Sequence, residues 1–301
     1  VAPDTVLLRL ASPTGSQLPN WTPGAHLDVE CGDTGLSRQY SLCGDLENRE
    51  IWQIAVQRDP NSRGGSAWIH NYAKPGATLR IRGPRNHFRM SEASTDRIVL
   101  IAGGIGITPI MAMAQHAQSL GIDYEIHFSG RSRAALPLIE NLQRRHGVRL
   151  RLYISEEGHR NNFRELLAQP NATTQIYACG PSRMLDDLQN VLVQQGWPDH
   201  ALHVEHFINT ANRLDPDKET AFEVELRNSG LTLQVPANKT LLEVLRASNI
   251  DVQSDCEEGL CGACEVGVVS GEIDHRDSVL SLTEKQKSTR LMACCSRGLS
   301  K

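Results

Sequence analysis

No apolar run in this 301-residue chain approaches the roughly 20 residues a membrane-spanning helix requires, so no membrane segment is expected. The opening V-A-P-D-T-V-L-L-R-L has no basic stretch ahead of an apolar one, so no secretory leader is expected. The chain does not open with methionine and is expected to begin inside a longer one; the cytoplasm is then the default location. Positive charge is not in excess either. With 31 Lys and Arg against 35 Asp and Glu the net charge is −4, which leaves no basic footprint for nucleic acid. Internal repeats and low-complexity tracts are lacking. So is any nucleophile–base or paired-carboxylate motif, which turns attention to bound cofactors.

Cysteine is present in quantity and unevenly spread. Five of the eight cysteines lie in the last 46 residues, whereas a disulfide scaffold is usually short and stapled throughout. Such bunching favours a metal site in a reducing compartment. In D-C-E-E-G-L-C-G-A-C-E (255–265), Cys256, Cys261 and Cys264 have the spacing C-x4-C-x2-C, and Cys294 follows after 29 intervening residues. This is the plant-type ligation pattern of a [2Fe–2S] cluster. Gly259, Gly262 and Ala263 leave room for the loop backbone to aim N–H groups at sulfur. Zinc sites usually carry paired C-x2-C knuckles; here there is one such pair and one wider gap. On spacing alone, Cys295 competes with Cys294 for the fourth position.

Three regions follow from patterning. Over 1–93, short alternating stretches such as H-L-D-V-E (26–30), I-W-Q-I-A-V-Q-R (51–58) and T-L-R-I-R (78–82) predict an antiparallel β-barrel or sandwich. Over 94–208 the apolar strand R-I-V-L-I-A (97–102) opens a series of strands alternating with helices, the mark of a doubly wound α/β domain. The polar 209–219 stretch reads as a linker. Residues 220–301 form a small α+β domain that carries the cysteine loop.

G-G-I-G-I-T-P (103–109) joins a buried strand to a helix. Gly103, Gly104 and Gly106 let backbone N–H groups approach an anion, and Thr108 suits the N-cap with Pro109 at the first helical position. No acidic residue closes the next strand, which leads into S-G-R-S-R (129–133); Arg131 and Arg133 are candidates for an adenosine phosphate. A second turn, A-C-G-P-S (178–182), brings Cys179, Gly180 and Pro181. Two such turns fit a nucleotide lying across the carboxyl ends of the strands. Near the start, S-R-Q-Y-S-L-C-G (37–44) and N-S-R-G-G-S (61–66) also look chemical. Tyr40 is a candidate to stack on an aromatic ring. Arg38, Arg63 and Ser66 are candidates to hold a phosphate, with Gly64 and Gly65 exposing N–H groups.

R-Q-Y-S, R-G-G-S, G-P-R-N-H-F, G-G-I-G-I-T-P, C-G-P and the cysteine loop, in that order, resemble the phthalate dioxygenase reductase and vanillate O-demethylase reductase family over nearly the whole chain. These reductases serve Rieske-type aromatic oxygenases. The resemblance implies a flavin-binding β-barrel, an NAD domain and a plant-type ferredoxin domain of β-grasp form. It implies FMN lined by Arg38, Gln39, Tyr40 and Ser41, edged by Ala55, Val56 and Gln57, with its phosphate on Arg63, Gly64, Gly65 and Ser66. Thr108 would approach the flavin, and Phe207 would pack where nicotinamide stacks. Cys294 would be the fourth ligand. The implied route runs from NADH to FMN to [2Fe–2S] to the oxygenase, in a monomer without nucleic-acid or membrane partners. A flavin suits this because it accepts two electrons together and releases them singly. A stand-alone NAD(P)H:acceptor flavin reductase and a non-catalytic sensor or zinc module are the alternatives. Relatives often carry a basic residue after the first cysteine, where this chain has Glu257. With Asp251, Asp255, Glu258 and Glu265 it forms an acidic stretch that is a candidate docking rim for a basic partner.

Overall fold

The computed structural model describes residues 2–34, 36–60, 64–91, 95–207, 218–254, 256–280 and 282–299. The chain divides into two compact units, Val1–Glu205 and His206–Lys301. Arg63, Asp255 and most of the 209–219 stretch lie outside the described residues.

The first unit opens with β1 (Thr5–Leu10), β2 (His26–Glu30), β3 (Ser37–Ser41), β4 (Trp52–Gln57) and β5 (Ile81–Arg85). All pairings among them are antiparallel: β1 with β4, and β2 between β3 and β5. A bridge between Leu42 and Ile54 joins the two sheets. Period-2 alternation turns Leu27, Val29, Ile54 and Val56 inward, where all are fully buried beside Trp21 and Trp52. The strand expected at 78–82 forms three residues later and includes Pro84. Proline is tolerated there because β5 is an edge strand. Helix α1 (Gly65–Tyr72) was not foreseen from patterning; it starts inside the glycine-rich R-G-G-S stretch.

The same unit continues through β6 (Arg97–Gly103), α2 (Ile107–Ser119), β7 (Asp123–Gly130), α3 (Ile139–His146), β8 (Leu150–Ile154), α4 (Phe163–Leu166), β9 (Thr174–Cys179), α5 (Ser182–Gln195) and β10 (Leu202–Glu205). The five strands form a parallel sheet in the order β10-β9-β6-β7-β8. Strand order therefore reverses between β6 and β9, and ligands of such sheets bind at the carboxyl ends beside that point. Both glycine turns leave the sheet there. Residues 98–102 of β6 are buried on both faces, as a central parallel strand requires.

The second unit contains the hairpin β11 (Phe222–Leu226) and β12 (Leu231–Val235), helix α6 (Leu241–Ala247), β13 (Glu265–Gly267), β14 (Ile273–Asp274), α7 (Leu282–Lys287), β15 (Arg290–Met292) and β16 (Arg297–Gly298). β13 pairs with β15, and β14 with β16. A reciprocal capping box between Thr240 and Glu243 starts α6, whose Leu241, Leu242, Val244 and Leu245 enter a core with Met292 and Ala293. Where the chain enters this unit, Glu219 is held bidentately by Arg276, at 2.6 and 2.9 Å, and by Arg297 at 3.1 Å. Among the described residues no helix is long and apolar enough to cross a membrane.

Candidate redox site

The two glycine turns, read separately in the sequence, pack on one another. A Cβ on Gly106 would lie 2.3 Å from the Cys179 carbonyl oxygen, and one on Gly180 would lie 3.0 Å from the Gly103 Cα. Side chains here would drive the two backbones apart and fill the switch point. The start of α2 differs from expectation. A 3-10 turn over Gly104–Gly106 feeds into α2, whose N-cap is Gly106. Thr108 is thus inside the first turn, buried, and its hydroxyl donates to the Ile105 carbonyl at 3.0 Å. No side chain caps this helix start, the Ile107 N–H is taken by the Gly104 and Ile105 carbonyls, and Pro109 carries no N–H, which leaves the Thr108 N–H as the donor of the first turn without a helical partner.

A half-buried acid that sequence reasoning passed over lies beside this point. Glu205 ends β10 in register with Cys179 on β9. Burial pushes its carboxyl up to about 8, against the opposing effect of a hydrogen bond from the Ser41 hydroxyl. The Cys179 Sγ is 4.0 Å from Glu205 Oε2, and burial followed by the nearby carboxylate raises that thiol well above its ordinary value. Ser41, at the end of R-Q-Y-S, and Cys179, in the second turn, therefore meet through a group neither motif contains. The signal available was the acid two residues ahead of Phe207 at a strand's carboxyl end. Phe207 itself belongs to the second unit.

In the barrel portion Arg38 and the start of α1 come together around Gly65. Arg38 lies across Gly65, where a Cβ would come 2.6 Å from the Arg38 Cγ. Gly64 has φ +101° as the N-cap of α1, without a side-chain cap. Among the described residues, the buried Arg38 Nη2 and Gln39 Nε2 have no hydrogen-bond partner. Buried donors left over in this way need an acceptor from outside the chain. Ser66 already accepts from the Asp59 N–H at 3.1 Å. Tyr40 is half-buried against the barrel core. Ala55 and Val56 are buried and the Val56 carbonyl is taken by His70 at 3.0 Å, whereas Gln57 is exposed.

In the second unit the thiols lie close enough to interact: Cys256 with Cys261, and Cys294 with both Cys264 and Cys295. The Cys256 N–H also reaches the Cys261 Sγ at 3.5 Å. Backbone N–H groups point at them: Glu258 and Leu260 to the Cys256 Sγ, both at 3.3 Å, and Gly259 to the Cys294 Sγ at 3.2 Å. Gly259 and Gly262 reach φ +69° and +80°, values a side chain would resist. The Cys261 thiol, aided by backbone N–H groups, lowers the Cys256 thiol despite burial. Cys295 turns its thiol to the Met292 carbonyl, at 3.7 Å. Among the described residues no three Cys, His, Asp or Glu groups converge on a single-ion site. Two groups of thiols suit two adjacent irons better than one tetrahedral ion. The acidic stretch is partly neutralised. Glu257 pairs with Arg246 at 2.7 Å, and Glu265 with Arg290 at 3.4 Å, both bases lying outside the loop.

The description "2Fe-2S iron-sulfur cluster binding domain" matches residues 224–297. Vanillate O-demethylase oxidoreductase of Pseudomonas sp. (strain HR199 / DSM 7063) is 38% identical over 303 residues, spanning 100% of this chain and 94% of the relative. Phenoxybenzoate dioxygenase subunit beta of Ectopseudomonas oleovorans is 38% identical over 98% of this chain and 90% of its own. Phthalate dioxygenase reductase superimposes with a TM-score of 0.72 at 33% identity, covering 100% of this chain and 92% of that one. Two larger structures are more similar. Full-length CYP116B46 from Tepidiphilus thermophilus gives a TM-score of 0.87 at 57% identity over 99% of this chain. An intact type IV self-sufficient cytochrome P450 monooxygenase gives 0.83 at 51% over 100%. This chain spans 39% of the length of each of those two.

The protein is an electron-transfer oxidoreductase, with a flavin- and NAD-binding reductase fold followed by a [2Fe–2S] ferredoxin domain. It belongs to the oxygenase-reductase family that includes vanillate O-demethylase oxidoreductase and phthalate dioxygenase reductase.

Proposed function

We propose that the chain takes electrons from NADH and passes them one at a time to an oxygenase, with FMN held in the first unit and a [2Fe–2S] cluster in the second. The gathered thiols with their inward N–H groups are the observation that carries this reading. Cys256, Cys261, Cys264 and Cys294 are the assigned ligands. Gly259 supports Cys294 over Cys295 because its N–H reaches the Cys294 sulfur. Arg38, Gln39 and the start of α1 are assigned to the flavin phosphate and ring edge, with Tyr40 and Ser41 beside the ring; Ala55, Val56, Gln57 and Arg63 keep the family's flavin roles. Gly103, Gly104, Gly106, Thr108, Arg131, Cys179, Gly180 and Pro181 are assigned to the nucleotide, and Phe207 to the nicotinamide position. A bound flavin supplies the conversion of a hydride pair into single electrons. The protein's part is to hold each group and, through Glu205, whose carboxyl is pushed up to about 8, to favour a proton beside Ser41 and Cys179. We place this activity in the reducing cytoplasm, in a monomer.

For the acceptor, the family resemblance supports a Rieske-type oxygenase. A specific observation favours a P450 haem instead. Identity is 57% and 51% to the two larger structures, against 38% to the two reductase subunits compared. The test pairs the purified chain with a Rieske-type oxygenase and, separately, with a P450 haem domain of the self-sufficient type. NADH-driven haem reduction under carbon monoxide with no coupled Rieske turnover establishes the haem; the reverse establishes the Rieske centre. Absorption bands of flavin and [2Fe–2S] are expected first, and a colourless protein overturns the whole reading. Electron delivery that survives loss of the cluster supports the stand-alone reductase instead.

A further inference from the structure

The stretch G-E-I-D-H-R-D (271–277) carries side chains that the electron route leaves unused. β14 pairs Asp274 with Arg297 of β16, and beyond that rung neighbouring residues divide between two directions. Arg276 and Arg297 turn to Glu219, whereas Asp277 and Ser296 are buried and face one another. The Ser296 hydroxyl donates to Asp277 Oδ1 at a long 3.5 Å and accepts from the Arg276 N–H at 3.3 Å.

The Asp277 side chain has no exposed surface. Its Oδ2 accepts from the Val279 and Leu280 N–H groups, at 3.1 and 2.8 Å, which closes a turn starting at Asp277. Lys285 fastens the same residue from α7, its Nζ donating to the Asp277 carbonyl at 2.5 Å. His275 Nδ1 stands 3.8 Å from Oδ1. Inside this turn the Ser278 N–H is directed at the cysteine loop and donates to the Gly259 carbonyl at 2.9 Å. That carbonyl and the Leu260 N–H belong to one planar peptide group. The Leu260 N–H in turn donates to the Cys256 Sγ at 3.3 Å. A donor on the carbonyl end fixes the tilt of the peptide and polarises its N–H end. Gly259 also sends its own N–H to the Cys294 Sγ at 3.2 Å. Asp277 is thereby connected to two of the assigned ligands through one glycine.

We propose that Asp277 is a positioning residue: by accepting from the Val279 and Leu280 N–H groups it holds the Gly259–Leu260 peptide on the ligand sulfurs and favours the one-electron-reduced cluster. The inference rests on the assignment of a [2Fe–2S] cluster to Cys256, Cys261, Cys264 and Cys294. Hydrogen bonds to ligand sulfurs stabilise the reduced cluster, which carries one more negative charge. The Asp277 side chain acts in two opposed ways. Its oxygens fix the turn, while its charge disfavours an added electron. Substitution separates the two.

A redox titration of the full-length holoprotein at one pH, followed by the EPR signal of the reduced cluster, tests this. Asp277→Asn keeps an oxygen for the two N–H groups and drops the charge, so its potential should equal or exceed that of the wild type. Asp277→Ala drops both. Relative to Asp277→Asn, its reduction equilibrium should fall by roughly tenfold, ~59 mV for one electron, the worth of a hydrogen bond to a charged group. Ser296→Ala loosens the carboxylate without removing it and should lower the potential below that of the wild type by a smaller amount. Asp274→Asn, whose carboxylate meets the Arg276 guanidinium at the partly exposed end, should shift the equilibrium by less than about twofold. Potentials of Asp277→Ala and Asp277→Asn that agree to within about twofold in that equilibrium overturn the positioning role. If Asp277→Ala takes up no cluster, Ser296→Ala decides: a potential unchanged from the wild type, or loss of the cluster there too, overturns the role. A wild type without the [2Fe–2S] spectrum overturns the cluster assignment itself, and the positioning role with it.

Discussion

The glycine turns of the first unit and the cysteine loop of the second use the same backbone device on different anions. In the first, the proposed nucleotide site, the start of α2 has no side-chain cap and the two turns are kept clear of side chains, as suits a phosphate that arrives and leaves. In the second, N–H groups already engage sulfur that belongs to the chain, at 3.2 and 3.3 Å. A site for a transient ligand needs open N–H groups and a cleared path. A site for a permanent cluster needs its donors committed in advance. The difference extends to neighbouring acids. Next to the glycine turns desolvation pushes the Glu205 carboxyl up to about 8, whereas by the cysteine loop Glu257 and Glu265 form ion pairs with arginines.

The largest effect should come from breaking the permanent site. Cys261→Ser removes one thiol of a pair and is expected to abolish the [2Fe–2S] absorption and all electron delivery to an oxygenase. Flavin reduction by NADH should persist, because the residues assigned to flavin and to the nucleotide, Phe207 excepted, lie in the other unit. Cys295→Ser should keep the cluster spectrum, since that thiol is directed at the Met292 carbonyl. Loss of flavin reduction in Cys261→Ser would show that the two units do not function separately.

Next in size is the pH dependence that Glu205 imposes. Its folded-state carboxyl titrates near 8, while an unfolded glutamate titrates near ~4.3. The folded state therefore keeps a proton that the unfolded state releases. Stability is fully retained below about pH 4 with respect to this group and declines as pH rises through the window up to about 8. The slope is at most ~1.4 kcal/mol per pH unit. Glu205→Gln removes that slope, so its unfolding temperature should change less between pH 5 and pH 8 than that of the wild type. Parallel pH curves for the two proteins would mean that Glu205 is ionised in the folded state.

Legibility follows the same division between the units. The cluster loop was readable because ligation demands one residue type at fixed spacing, and no other residue substitutes for a thiolate. The glycine turns were readable for a related reason, since close approach of two backbones excludes a Cβ. The sheet series over 97–179 was readable from continuous apolar strands between helices. Glu205 was not, because a single acid at a strand end has no local signature; its meaning comes from Ser41 and Cys179, brought to it by the fold. Thr108 was misplaced as a cap because a 3-10 turn lengthened the helix start, which composition does not reveal. Arg131 and Arg133 look alike in sequence, and the ion pair of Arg133 with Glu157, 24 residues beyond it, separates their roles. The acidic rim looked unopposed for the same reason, as its bases lie in α6 and β15.

A smaller change tests how tightly the transient site is built. Gly106→Ala places a methyl 2.3 Å from the Cys179 oxygen and 2.5 Å from its carbonyl carbon, both backbone atoms that have no rotamer to escape into. Overpacking of this kind costs ~1–3 kcal/mol. The expected outcome is a lowered unfolding temperature of the first unit and a raised KM for the nicotinamide nucleotide, with the cluster spectrum intact. An unchanged KM would mean that the two turns need not stay in contact for the nucleotide to bind.

The smallest effect concerns the acidic rim, and it distinguishes a docking surface from a solvated one. Glu257 and Arg246 are about half exposed and form an ion pair, so their contribution to stability should be below ~1 kcal/mol. Their effect on an approaching partner is a separate matter. As a pair they present no net charge; Glu257→Gln leaves Arg246 unopposed and moves the local charge by one positive unit. If the acceptor's face is basic, electron delivery at low ionic strength should slow by no more than about twofold and recover as salt screens the surface. The double variant Glu257→Gln with Arg246→Gln restores the neutral balance and should restore the rate. Asp251→Asn, which removes an exposed carboxylate from the same stretch, should slow delivery in the same direction. Rates independent of ionic strength in all of these would assign the acids to solvation alone.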